Sequence, residues 1–241
     1  MKIAVIVPAF NEEKLLPASL RSIKASMTAF ARRSWETELI VCDNNSTDRT
    51  AELAGSEGAR VVFEPVNQIA RARNAGARAA TADWLVFVDA DSHPNEGLMA
   101  GVAEQIESGR CLAGGSTVAL DQPHFFAGLV TQGWNCLSRI QKWAPGSFIF
   151  CETAAFREIG GFSAELYASE EIELFVRLKK LARARQKKIV ILHRHPLVTS
   201  ARKLHLYSVR EHLRFLRRTV MGFGRTLKDP KECHTWYDGR R

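Results

Sequence analysis

The first apolar run, Ile3 to Val7, is continuous and β-branched, as expected of a parallel strand buried on both faces, and Pro8 ends it. Leu16, Leu20, Ile23 and Met27 then recur at helical spacing around Pro17, which predicts an amphipathic helix, and Glu38 to Cys42 reads as a second strand. The alternation continues with a short helix over Thr47 to Ala54, a strand over Ala59 to Glu64, a helix over Ile69 to Ala80 and a strand over Trp84 to Val88. Such a chain is expected to form an α/β fold, an open and mostly parallel sheet flanked by helices. After Asp91 the pattern is less regular. It predicts a helix from Asn95 to Glu107, a strand near Gly115 to Leu120, a mixed aromatic segment from Phe125 to Trp143, a strand over Ser147 to Cys151, a helix over Glu170 to Leu181 and a strand over Lys188 to Leu192.

With 241 residues, 46% of them apolar, the chain can bury one full core, so the expected organisation is one catalytic-sized domain over 1–203 with a basic tail over 204–241. In that tail Leu206, Val209, Leu213, Leu216, Val220 and Phe223 keep helical spacing while Arg210, Arg214, Arg217 and Arg218 fill other positions. A helix of this kind either packs on the domain with its arginines in water or lies on an anionic membrane. No apolar run approaches the roughly 20 residues of a spanning helix, and the first residues meet charge too soon for a signal peptide. The expected location is therefore cytoplasmic, with peripheral contact at the inner face of the membrane as the variant. Five cysteines stand singly, without zinc-site spacing, and are expected to be reduced and mostly buried. The formal charge of +8 favours partners that carry phosphates.

Candidate chemistry gathers at three strand ends: Pro8-Ala-Phe-Asn-Glu-Glu13, Cys42-Asp-Asn-Asn-Ser-Thr-Asp48 and Asp89-Ala-Asp91. In an open α/β sheet the carboxyl ends of the strands converge on the ligand crevice. Asp89 and Asp91 offer hard oxygens suited to Mg2+ or Mn2+, which would neutralise a diphosphate. The same D-x-D equally describes a solvated turn in which Asp91 or Ser92 caps the following helix. Arg71, Arg73 and Arg78 lie in an alanine-rich helix, where a solvated basic face is the simpler reading for all but Arg73. Glu170 and Glu171 open a predicted helix behind Ser169 as possible N-cap, so they either complement its dipole or do acid–base work.

The ordered set VPAFNEE, VCDNNSTDRT, ARARNAGARAA, WLVFVDAD, IGGF and SEEIELFVRL resembles the family 2 glycosyltransferases, inverting enzymes of GT-A fold that use nucleotide-diphosphate sugars. The resemblance covers about Lys2 to Leu181. It implies that Pro8, Ala9, Asn11 and Glu12 border the nucleoside and that Asp43 accepts from the base, with Asn44 standing where many relatives have a second acid. UDP and GDP sugars both remain open, because uracil and guanine each offer N–H donors. It implies further that Arg73 and Asn74 lie beside the nucleotide, that Asp89 and Ala90 meet the ribose and diphosphate, and that Asp91 with Asp89 holds the metal. The base that takes the acceptor proton is expected at Glu171, where the family normally has Asp, or at Glu170. Arg202 is a candidate for closing over the diphosphate, and His193 or His195 for a third metal ligand. Gly160-Gly161-Phe162 either lets the backbone pass close to the sugar or is a plain turn, and Trp134 and Trp143 either stack on acceptor rings or belong to the core. The expected partners are a nucleotide-diphosphate sugar and an unknown hydroxyl acceptor, lipid-linked in one variant, and not nucleic acid. A nucleotidyltransferase would carry a Gly-rich loop after the first strand, and a non-catalytic nucleotide-sugar or membrane-binding module remains the reading from another class.

Overall fold

Period-two alternation along the first strand sends its side chains to two different cores. In β1 (Lys2–Ala9), Ile3, Val5 and Val7 face one helical layer while Ala4 and Ile6 face the other, and all five are fully buried. The computed structural model that shows this describes residues 1–122, 125–201 and Leu227. β1 is followed by α1 (Leu16–Ala31), β2 (Glu36–Asp43), α2 (Thr50–Ser56), β3 (Arg60–Phe63), α3 (Ile69–Ala79) and β4 (Trp84–Val88). Each coincides with a predicted element, and the α1 stripe Leu16, Leu20, Ile23 and Met27 is buried as its spacing requires. Burying each of these large aliphatic side chains contributes about 1.5–3 kcal/mol.

The second half contains β5 (Ser92–His93), α4 (Glu96–Glu107), β6 (Cys111–Leu120), α5 (Phe125–Gln141), β7 (Phe148–Glu152), α6 (Thr153–Glu158), α7 (Glu170–Ala184) and β8 (Lys188–Thr199). All eight strands form one sheet in the order β3-β2-β1-β4-β7-β6-β8-β5. Its first half is parallel, as expected; the second is mixed, with β7 antiparallel to both β4 and β6 and β8 parallel to β6. The reason lies in how β7 is entered. The chain reaches it at the carboxyl end of β4, where the Asp89 N–H donates to Ser147 O at 3.1 Å, so the strand can only run back.

One layer, built on α1 and α4, packs Phe30, Leu98, Met99 and Val102 on Val5, Val7, Val86 and Val88. The other, built on α3, α6 and α7, packs Phe156, Phe162, Leu174, Phe175 and Leu178 on Ile6, Leu85 and Phe87. Gly76 lets α3 approach β1, since a Cβ there would come 2.4 Å from Ile6 Cγ2. Among the described residues no helix is long and apolar enough to cross a membrane. Cys42, Cys111 and Cys151 are buried free thiols, Cys136 is an exposed one, and Cys233 lies outside the described residues, as does the predicted basic tail over 204–241.

Candidate active site

The loops that leave β1 and β2 are bound to each other. Ala9 and Asp43 are register partners at the two strand ends, and the Asn44 N–H closes the junction on Ala9 O at 2.8 Å. Asn11, at φ 51°, donates its N–H to Ser46 Oγ at 3.0 Å and accepts the Thr47 N–H on Oδ1 at 2.8 Å. The next two amides follow suit, Glu12 N–H to Thr50 Oγ1 at 2.8 Å and Glu13 N–H to Asp48 Oδ2 at 3.1 Å. Burial works against the Asp48 carboxylate, but the Thr50 hydroxyl and N–H and the Glu13 N–H outweigh it and hold its pKa below the ordinary value. Asp43 is 5% exposed and accepts the Ser46 N–H at 3.2 Å. Pro8 and Ala9 end β1 beside it, both buried, and Glu12 is 7% exposed.

Asn44, expected to meet the nucleotide, instead donates its amide to Glu64 O and Val66 O. It fastens the exit of β3, which is why an uncharged amide stands here: two carbonyls need a donor, and a carboxylate has none.

Across β1 from Asp43 lies the end of β4. Ile6 pairs with Phe87, so Asp89 falls beside the end of β1 on the opposite flank from Asp43, about 10 Å away at two strand spacings. The following turn returns Ser92 N–H to Asp89 O and receives Ser200 N–H on Asp91 O, both at 3.1 Å. Ala90 is 5% exposed. Asn95, rather than Asp91 or Ser92, caps α4, its Oδ1 accepting the Leu98 N–H at 2.8 Å, while Ser92 is fully buried in β5. The capping role of the D-x-D is therefore excluded. Its two carboxylates are hard oxygen donors of the kind that Mg2+ or Mn2+ takes. Among the described residues no group of three or more His, Cys, Asp or Glu side chains could hold a metal by itself.

Arg73 organises the rest. It is 1% exposed, on the face of α3 turned toward the sheet, whereas Arg71 and Arg78 are exposed. Its Nη1 donates to Glu170 Oε1 at 2.6 Å; its Nη2 donates to Asp89 Oδ1 at 3.0 Å and to Gly146 O at 2.8 Å. The guanidinium also lies 5.2 Å from the Phe162 ring centroid, and Nε has no hydrogen-bond partner. Burial alone would lower the Arg73 pKa, but Asp89, Glu170 and Glu171 raise it, so the residue stays a cation. Expected beside the nucleotide, Arg73 has its charge-bearing nitrogens turned to protein carboxylates.

Three carboxylates facing one guanidinium leave a surplus of negative charge, and Glu171 carries the consequence. Burial, and then the neighbouring Glu170 charge, push its pKa up to about 8, with Asp89 adding to the rise and Arg73 opposing it. Glu170, 4% exposed, takes the Arg73 hydrogen bond, so the rise in proton affinity falls on Glu171 beside it. Ser169 precedes them as N-cap of α7 in a left-handed conformation, φ 62°, and its side chain makes no capping bond, contrary to expectation.

Asn74 does not face a ligand either. Its Nδ2 donates to Phe162 O at 2.8 Å and its Oδ1 accepts the Phe162 N–H at 2.9 Å, a reciprocal pair across 88 residues. Gly161, at φ 71°, is glycine for that reason: a Cβ would come 2.6 Å from Asn74 Oδ1. The glycine pair thus admits a side chain of the protein.

His193 and His195 are exposed within β8, which extends to Thr199. His195 lies over Gly97 of α4 and His193 lines a groove beside α5, whereas the Asp91 turn is reached at Ser200, just past the end of β8, and among the described residues neither imidazole joins the carboxylates in a group of three or more. Trp143 is partly buried against the core with Lys179 Nζ 5.0 Å from its ring centroid, and Trp134 is half-buried. Arg202 lies outside the described residues. Sequence reasoning missed Gly146, whose carbonyl holds Arg73; its only signal was the Pro-Gly turn before β7.

Solved structures share this fold. TarS residues 1–349 of S. aureus in complex with UDP-GlcNAc superposes with a TM-score of 0.63 at 19% identity, covering 98% of this chain and 69% of that one. The mannosyltransferase PcManGT from Pyrobaculum calidifontis, in complex with GDP-Man and Mn2+, gives 0.65 at 19%, covering 98% and 73%. In sequence, an uncharacterised glycosyltransferase of Mycobacterium tuberculosis (strain ATCC 25618 / H37Rv) is 33% identical over 141 residues, 57% of this chain, and the match spans 60% of that relative's length. The family model for glycosyl transferase family 2 matches residues 4–160, which contain the three strand ends, Arg73 and Gly146. With its GT-A sheet and this match over well more than half of its length, the chain belongs to glycosyl transferase family 2.

Proposed function

We propose that the protein moves a sugar from a UDP- or GDP-sugar to an acceptor hydroxyl, with inversion at the anomeric carbon. One observation carries this reading: buried Arg73 ties Asp89, at the end of β4, to Glu170, and so sets Glu171 beside the strand ends with a raised proton affinity. Family membership supports the donor class, as do the UDP-GlcNAc and GDP-Man held by the two structural neighbours. In the reaction Glu171 accepts the proton of the acceptor hydroxyl as its oxygen bonds to the anomeric carbon. The bond from that carbon to the diphosphate oxygen breaks, and its electron pair leaves with the nucleotide. Glu170 holds the Arg73 guanidinium, which keeps Glu171 from relaxing onto it. Asp43, with its carboxylate at the end of β2, accepts from the base, and Pro8, Ala9, Asn11 and Glu12 wall the nucleoside.

Asp91 and Asp89 would hold a divalent cation, which when bound neutralises the departing diphosphate. Asp91→Asn tests this. Donor turnover in saturating Mn2+ should fall at least about 100-fold, as loss of a charge-stabilising group does, and the melting-temperature rise given by UDP or GDP with Mn2+ should shrink. Full turnover in the variant would refute the metal assignment.

A further inference from the structure

Among the described residues, α5 has a face that nothing covers. Leu129, Val130, Leu137 and Ile140 are 64%, 74%, 41% and 69% exposed, and among its described side chains only Ala127 and Ser138 are buried. At 100° per residue, Cys136, Leu129, Ile140, Gly133, Leu137 and Val130 lie on one side of the helix as an apolar stripe, with Gln141 at its edge before Trp134. Over 17 residues the helix carries one charge, Arg139, off that stripe. The apolar stripe of α1, by contrast, lies entirely in the core.

Beside α5, between it, α7 and β8, runs a groove of about 700 Å³ lined by Arg139, Lys142, Lys179, Arg183, Lys188 and His193, with no acid among its lining residues. Lys187 also lines it and is paired with Glu152 at 2.8 Å. The desolvation of Lys179, and then Arg183 beside it, lower the Lys179 pKa, a sign that these cations repel one another.

We propose that this face of α5, with its basic flank, docks the protein on an anionic lipid bilayer. Apolar side chains would enter the headgroup boundary while the lysines and arginines meet lipid phosphates. Charge selects this occupant. A second copy would bring the same cations against themselves, on a chain of formal charge +8. The chain's own tail, with Arg210, Arg214, Arg217, Arg218 and Arg225, carries charge of the same sign as the flank. α5 is firmly attached to the catalytic side. The Asn135 amide bonds both N–H and C=O of Val118, at 3.0 and 2.9 Å, and the helix leads through Trp143 and Pro145 to Gly146, the residue that holds Arg73. The carboxyl end of α5 therefore leads into the turn at the carboxylate cluster, to which a bilayer on α5 would present a membrane-borne acceptor. The docking surface itself does not depend on the sugar-transfer reading.

The test is co-sedimentation of the full chain with phosphatidylglycerol and with phosphatidylcholine vesicles. Binding to the anionic vesicles should be at least about tenfold stronger and weaken with salt. Leu129→Gln combined with Ile140→Gln should reduce it about tenfold or more at an unchanged melting temperature, since both positions are exposed. In a Cys233→Ser background, an environment-sensitive fluorophore on Cys136 should shift to the blue with phosphatidylglycerol vesicles. Failure of the full chain to bind phosphatidylglycerol, binding untouched by the double substitution, or no spectral shift would each overturn the proposal. So would a dimer in gel filtration that the double substitution converts to monomer.

Discussion

The halves of the molecule on either side of β4 treat their polar groups differently. In the first half, loops 10–13 and 46–50 satisfy one another bond for bond, and the Asn44 amide finds two carbonyls in the exit of β3. The second half holds a carboxylate pair whose cation among the described residues, Arg73, reaches over from the first half, and buried Ser116 Oγ and Trp143 Nε1 without partners, as Arg73 Nε is. Preorganised backbone that needs no rearrangement suits a side that holds a donor; proton affinity displaced by buried charge suits a side that does chemistry. The contrast teaches that mutual satisfaction of loop groups and displaced proton affinity fall on different sides of β4, with Arg73 of α3 reaching across to join them.

The sharpest break is at Glu171. Glu171→Gln should lower transfer by about 10²–10⁴-fold, the span of general-base contributions, and yet stabilise the fold in alkaline solution. The folded state holds the Glu171 proton more tightly than the unfolded chain does, so wild-type stability falls as pH rises from about the ordinary value of 4.5 through about 8. Thermal melts at pH 4, pH 6 and pH 9 should show the variant gaining progressively on the wild type, most at the highest pH. The same titration predicts an ascending limb in the pH–rate profile well above the ordinary carboxylate range.

Arg73→Met attacks the other partner. Stranding Glu170 and Asp89 without their cation should destabilise by about 3–5 kcal/mol, read as a drop in denaturation midpoint, with the ascending limb of any residual activity moved to higher pH. On the satisfied side the effects should be smaller. Asn11→Ala removes the acceptor for Thr47 N–H and puts a Cβ-bearing residue with no local hydrogen bond at φ 51°, for about 1–2 kcal/mol. Past β4 but away from both loops and charges, Asn95→Ala removes the cap of α4 and should lower stability by about 1 kcal/mol without changing turnover or its pH dependence. An Asn95 variant with an altered pH profile would erase the distinction between the halves.

Much of the first half was legible because its determinants are local. The Ile3–Val7 run, the α1 stripe and the Trp84–Val88 strand each announce their structure within a few residues. α5 was not legible: its exposed apolar side chains obscure the inward-facing pattern that identifies a packed helix, and Phe125 to Trp143 reads only as a mixed aromatic segment. β8 runs on past Leu192 to Thr199 because β6 pairs with it there through an irregularity, and so His193 and His195 stay within the strand, away from the Asp91 turn.

The chain by itself determined the alternation of strands and helices, the three polar strand ends and the acidic pair, since hydrophobic periodicity and strand exits are written in neighbouring residues. Tertiary structure alone decided partners. That Arg73 answers to Glu170, 97 residues away, and Asn74 to Phe162, 88 away, follows from two helices and a glycine turn packing on one face of the sheet. A hydrogen bond depends on positions in space, and only the packed core brings such distant residues within reach of one another.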